Sequence, residues 1–171
     1  SYSFTNSSAE FASRKLLYHL CSYFVVVDLN TDQILLTSHI KSGLWLPSGG
    51  HVEINEHPKE TAAREAIEEL GIEAEFLFDQ PIFLTVTQTV GQEGGHTDVS
   101  LWFVLKGNCL HPLNYDKVEF NEVGWFKLDV LPYNQSDPHL RRFIRKLEWA
   151  ITLFITTYSE KSNHNGPFKN L

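Results

Sequence analysis

The chain has 171 residues, a length that usually makes one domain around one core. With 42% apolar and 20% charged residues it has the balance of an ordinary soluble globular protein rather than of a disordered or membrane-embedded one. Its formal charge of −7 repels polyanions, which argues against nucleic acid polymers and acidic membranes as partners. A small phosphorylated substrate stays open, because a bound cation can reverse the local field.

Cys21 and Cys109 are far apart and lack metal-ligand spacing, so no disulfide framework is expected and a reducing, cytoplasmic setting is the simple reading. No apolar run reaches the length of a membrane span, and the first residues carry no signal-peptide pattern. The absence of any Met suggests that the first residue is not the translated start.

Ser1 to Ser8 is small and polar. Residues 9–20 read as a short helix with Phe11, Leu16, Leu17 and Leu20 as its buried stripe. Tyr23 to Leu29 is Val-rich and apolar, as expected of a strand covered on both faces. Asn30-Thr31-Asp32 signals a turn, and Gln33 to Ser38 returns as a second strand. Gly43 to Glu53 reads as loop. A helix is expected over Pro58 to Leu70, with Pro58 at its first position and Gly71 just past its end. Phe76 to Thr89 reads as one or two strands broken near Pro81, Val90 to Gly95 as a loop, Thr97 to Leu105 as a strong strand and Val123 to Leu128 as a shorter one. Residues 138–158 form a long amphipathic pattern with Leu140, Phe143, Ile144, Leu147, Ile151 and Phe154 inward, and 159–171 read as a polar tail. The class is α+β, or an α/β/α sandwich, in a single domain over 1–158.

Most of the chemical information lies between Gly49 and Ile72. Glu65, Glu68 and Glu69 are spaced i, i+3, i+4, which at about 100° per residue gathers them on one side of the helix, opposite Ala63, Ala66, Ile67 and Leu70. Like charges at this spacing disfavour a helix by roughly 0.2–0.5 kcal/mol per pair. Arg64 can offset part of that by pairing with Glu68 or Glu60, yet it cannot neutralise three acids. Clustered carboxylates suit a hard divalent cation, which takes oxygen ligands and shares its shell with phosphates. Alone, such a face would read as a solvated one. The preceding Gly49 and Gly50 change the odds, since they let the backbone turn sharply and approach a ligand.

At this point the chain resembles the Nudix hydrolase family, whose signature is G-x5-E-x7-R-E-U-x-E-E-x-G-U. Gly50, Glu56, Arg64, Glu65, Ala66, Glu68, Glu69, Gly71 and Ile72 fill every defined position. Seven positions demand one residue type, and chance agreement is on the order of one in 10⁸ per window. The lead-in from Leu46 to Glu53 and the later Trp125-Phe126 also look like the family, so the resemblance runs from about Tyr18 to Thr157.

The resemblance implies a Nudix-type α/β/α sandwich with a mixed central sheet. It implies hydrolysis of a nucleoside diphosphate linked to another group, most simply a nucleoside triphosphate; ADP-ribose, other nucleotide sugars and dinucleoside polyphosphates are alternatives. It implies Mg²⁺ or Mn²⁺ on Glu65, Glu68, Glu69 and the Gly49 carbonyl. Arg64 would orient a carboxylate, Glu56 would brace the loop, and Glu65 or Glu119 would be the general base, with Glu122 competing with Glu119. Many relatives are dimers, which raises a homodimer here.

Outside the signature, Gly95-His96-Thr97-Asp98 opens a strand, where His96 or Asp98 would contact substrate or metal, or simply face water. His51 lies within the glycine loop, near where phosphates would sit. His57 reads as a helix cap. Trp45 and Phe83 are candidates to stack on a base, or else core residues. Two rivals weigh against the enzyme. A non-catalytic nucleotide-binding module usually loses signature acids, all of which are kept here. An isopentenyl diphosphate isomerase needs a catalytic Cys in a loop where neither Cys21 nor Cys109 lies.

Overall fold

The computed structural model describes residues 18–88 and 97–164, with side chains described as far as residue 157. Seven strands and two α-helices follow in order: β1 (Tyr18–Asp28), β2 (Gln33–His39), β3 (Trp45–Leu46), β4 (Ser48–His51), α1 (Pro58–Leu70), β5 (Phe83–Gln88), β6 (Thr97–Lys106), β7 (Phe120–Lys127), a 3₁₀ turn (Tyr133–Gln135) and α2 (Leu140–His164). The sheet order is β3-β2-β1-β6-β5, with β4 paired to β1 and β7 to β2. β1 and β6 run parallel from Tyr18↔Thr97 to Val27↔Lys106, whereas β5 pairs antiparallel to β6. The sheet is therefore mixed, as expected.

Alternation along β1 divides the core in two. Val25 and Val27 pack with Trp102, Val104 and the buried side of α2, namely Leu140, Phe143, Ile144 and Leu147. Phe24 and Val26 pack with Phe103, Leu105 and the Ala62, Ala66 and Leu70 stripe of α1. One helix thus covers each face, and each fully buried Leu, Phe or Val contributes roughly 1.5–3 kcal/mol. The indole N–H of buried Trp102 donates to Thr85 Oγ1 at 2.9 Å, so the largest core side chain leaves no orphan donor.

Several expectations are corrected. Tyr18 to Leu20 belong to β1, not to the end of a helix, because ten residues of β6 pair along that edge; the rest of the expected helix lies outside the described residues. The Gly43 to Glu53 stretch holds two short strands, β3 and β4, whose hydrogen bonds to β2 and β1 override a weak local preference. α2 continues to His164, past the expected end at 158. Residues 89–96, including the candidate His96, lie outside the described residues.

Asp28 shows how a buried acid closes the far end of the sheet. Its carboxylate accepts from Asn30 N and Cys109 N, both at 2.9 Å, tying the β1–β2 turn to the segment after β6. These donors hold its pKa at about 2, below the ordinary 3.8. A depressed folded pKa gives stability that is full above about pH 4 and lost as pH falls toward 2. Asp28→Ala is expected to cost on the order of 1–3 kcal/mol in urea unfolding at pH 7 and to flatten the acid limb between pH 4 and 2. An unchanged acid limb would show that the carboxylate is idle.

Candidate active site

α1 is placed by its caps. His57 is the N-cap: its Nδ1 accepts from Lys59 N at 3.1 Å, and Glu60 Oε2 accepts from His57 N at 3.1 Å, a reciprocal capping box. Pro58 fills the first position, and Gly71 ends the helix at φ 65°. Ser22 Oγ donates to the Pro58 carbonyl at 2.6 Å, which fastens the helix start to β1.

The helix buries a different face from the one read in the sequence. Ile67 is 57% exposed, whereas Glu69 is only 5% exposed, beside Ala62, Ala66 and Leu70. Glu69 is carried inward toward the glycine turn, where the Gly49 N–H donates to its Oε2 at 3.0 Å. Burial, then the charges of Glu119 and Glu65, push its pKa up to about 8. Glu65 is also pushed up by burial, although Arg64 beside it pulls the other way.

Both glycines are needed for this meeting. Gly49 has φ 140°, and a Cβ there would lie 2.1 Å from the Ser22 carbonyl oxygen. A Cβ on Gly50 would lie 2.2 Å from Glu65 Oε1, so the missing side chain is the space that the carboxylate fills.

Arg64 is the main counter-charge. Its Nε and Nη2 hold Glu56 at 3.0 and 3.1 Å, and its Nη1 reaches Glu65 at 2.7 Å and Glu68 at 3.1 Å. Of the two expected pairings, that with Glu68 forms, while Glu60 is used in the cap. Glu56 braces the loop: it accepts from Thr61 Oγ1 at 2.7 Å and Glu53 N at 3.1 Å, and these bonds with Arg64 hold its pKa near 2.

These groups open onto a cleft of about 530 Å³ lined by Cys21, Tyr23, Gly49, Gly50, Glu65 and Glu69, with Lys41, His51, Glu53, Arg64, Asp98 and Glu119. The structure thus brings Glu65, Glu69, Glu119, His51 and Asp98 together. Glu68 lies more exposed, toward Arg64. Glu122 is exposed and does not line the cleft, whereas Glu119 does, with its Oε1 3.4 Å from His39 Nε2. Trp45 packs edge-on against Phe126, and Phe83 against Trp102 and Phe143; neither lines the cleft. Lys41, Tyr23 and Cys21 also line the cleft with nothing in the sequence to mark them as site residues, and Cys21 is buried as a small hydrophobe would be. A lone lysine in a hairpin has no spacing to mark it, and the other two look like ordinary strand residues.

The donor set suits a dication. Among the lining residues only Lys41 and Arg64 are Lys or Arg, and Arg64 is already shared among three acids. Burial first, and then the neighbouring charges of Glu119 and Glu65, raise Glu69, so a cation beside it would offset both costs.

The same architecture is found in solved structures. A NUDIX-family hydrolase from Clostridium perfringens superposes with a TM-score of 0.60 at 23% identity, covering 77% of this chain and 97% of that one. The MutT protein from Methanosarcina mazei Go1 gives 0.64 at 20% identity, over 78% and 94%. A C. elegans Ap4A hydrolase gives 0.61 at 17% identity, over 78% and 98%. These likenesses show the fold. A family model, the NUDIX domain, matches residues 19–147. The chain belongs to the Nudix family and is accordingly a hydrolase of pyrophosphate bonds.

Proposed function

We propose that the chain hydrolyses a phosphoanhydride bond of a nucleoside triphosphate, with Mg²⁺ or Mn²⁺ held by Glu65, Glu68, Glu69 and the Gly49 carbonyl. The observation that carries this reading is the buried Glu69, raised to about 8 beside Glu65 and Glu119 and bonded to the glycine turn. When bound, such an ion neutralises phosphate charge and lowers the pKa of a water. Glu65 and Glu119, both lining the cleft, are our two candidates for the general base that takes the attacking water's proton. Lys41 is the cation left to meet a phosphate, and His51 and Asp98 line the same cleft for substrate. The described part of the cleft, about 530 Å³, falls within the range of small-ligand pockets, about 300 to 1,000 Å³, and so has room for a nucleotide. A cytoplasmic setting fits a small-nucleotide substrate, and among the described residues no helix is long and apolar enough to cross a membrane.

The test is a nucleotide panel assayed for pyrophosphate and phosphate release with and without Mg²⁺ or Mn²⁺. Metal-dependent turnover that favours nucleoside triphosphates is expected. Preference for ADP-ribose or a dinucleoside polyphosphate would overturn the substrate class, and no turnover at all would favour a binding module. In the same assay Arg64→Lys is expected to lose about tenfold to a hundredfold, because one ammonium cannot span Glu56, Glu65 and Glu68. An unaltered rate would show the pairing to be idle.

A further inference from the structure

His19, His51 and Asp98 come from three different strands and meet beside the cleft, which His51 and Asp98 line. Parallel pairing sets His19 directly beside Asp98, and β4 brings His51 opposite Cys21, two residues along β1 on the same face. His19 Nδ1 lies 3.8 Å from Asp98 Oδ1, and the two imidazole rings meet edge to face with centroids 5.0 Å apart. One ligand atom from each of the three residues falls within 4.8 Å of the others. We infer that these three residues form a second cation site, chemically distinct from the carboxylate cluster, that takes a borderline divalent ion of the Zn²⁺ class.

The donor chemistry favours that ion over Mg²⁺. Imidazole nitrogen suits Zn²⁺ and its neighbours, whereas Mg²⁺ demands oxygen. Tetrahedral ligands at about 2.1 Å from Zn²⁺ lie about 3.4 Å apart. The His19–Asp98 pair, at 3.8 Å, needs to close by about 0.4 Å. The widest separation needs to close by at most about 1.4 Å, the scale of a rotation of the exposed His51 side chain. Asp98 is mostly buried and His19 half-exposed, so one ligand is anchored while the site stays open to ions. The surrounding field also favours a cation, since Glu53, Glu65, Glu69 and Glu119 line the same cleft against Lys41 and Arg64. Three protein ligands leave a position for water or an anionic oxygen of the cleft's occupant.

The experiment uses the whole chain, stripped with a chelator and without nucleotide, so that its failure leaves the hydrolase reading intact. Zn²⁺ is titrated against a chromophoric competitor, and Co²⁺ loading is followed in the visible spectrum. One equivalent of Zn²⁺ is expected to bind with a micromolar or tighter Kd, in wild type and in Glu69→Gln alike. Binding should weaken at least about tenfold in His19→Ala and in Asp98→Asn, with the Co²⁺ bands altered and far-UV circular dichroism unchanged. His19→Ala is the safer variant for folding, because its side chain is 38% exposed. No Zn²⁺ binding by the wild type would overturn the inference. So would equal binding by wild type and His19→Ala, or loss of the ion in Glu69→Gln alone.

Discussion

Glu69→Gln is expected to fold normally and to lower hydrolysis by at least two orders of magnitude. At neutral pH without metal, the Glu69 carboxyl is largely protonated, since burial and its acidic neighbours place its pKa at about 8. A glutamine therefore resembles the metal-free side chain, and its amide oxygen can still accept from the Gly49 N–H. What is lost is the charge that a dication calls out. The pH dependence follows from the sign of the shift. A carboxyl raised from 4.5 keeps its proton in the folded state while the unfolded chain has lost it. Metal-free stability should therefore fall as pH rises from about 4.5 to about 8. Glu69→Gln removes that penalty and should be the more stable metal-free protein at pH 8, by on the order of 1–3 kcal/mol. In the wild type, apparent Mg²⁺ affinity should rise about tenfold per pH unit up to about pH 8 and then level off, because the ion must displace a proton. In the variant it should be weak and flat. Differential scanning fluorimetry across pH, with and without Mg²⁺, reads both. A variant stabilised by Mg²⁺ as much as the wild type would contradict this account of Glu69.

The two adjacent glycines should fail in different ways when changed to alanine. At Gly49 the φ of 140° is strained for any side chain, and the added Cβ meets the Ser22 carbonyl and Tyr23 Cα, which are backbone held in a paired strand. Neither can give, so Gly49→Ala is expected to cost about 3 kcal/mol or more and to lower the yield of folded protein. At Gly50 the new Cβ meets the end of the Glu65 side chain. That end can swing aside, so Gly50→Ala should fold with a small change in Tm and still lose about two orders of magnitude in turnover, the scale of a misplaced catalytic group. Circular dichroism and kinetics on the pair separate the cases. A fully active Gly50→Ala would show that the Glu65 position is unimportant.

The acid helix was legible because its limits are written in residue types with few other uses: Pro58 inside the start, Gly71 past the end and acids at turn spacing between them. The side chains that would complete the site were harder to read. Periodicity gathers Glu65, Glu68 and Glu69 on one side, but it cannot say that the helix rolls until Glu69 is buried and Ile67 exposed. That roll is set by the glycine turn on β4, a strand too short and too glycine-rich to be read as one. Glu119, just before β7, lines the cleft and Glu122, two residues into the strand, does not, a difference that no local spacing marks. Tyr18 to Leu20 carry a helix-like spacing that pairing with β6 overrides, so nothing local marks His19 as a strand residue beside Asp98. Its partners His51 and Asp98 lie on strands distant in sequence, joined only by register.

The most direct test of the central claim is a titration of the metal-stripped chain with Mn²⁺, followed by electron paramagnetic resonance at pH 8, in wild type and in the Glu65→Gln/Glu69→Gln double variant. The wild type should take up Mn²⁺ in a manner that excess Mg²⁺ reverses, and the double variant should bind at least about tenfold more weakly. Equal Mn²⁺ uptake by the two proteins would mean that the acids of α1 do not hold the ion, and the proposed site would fall with them.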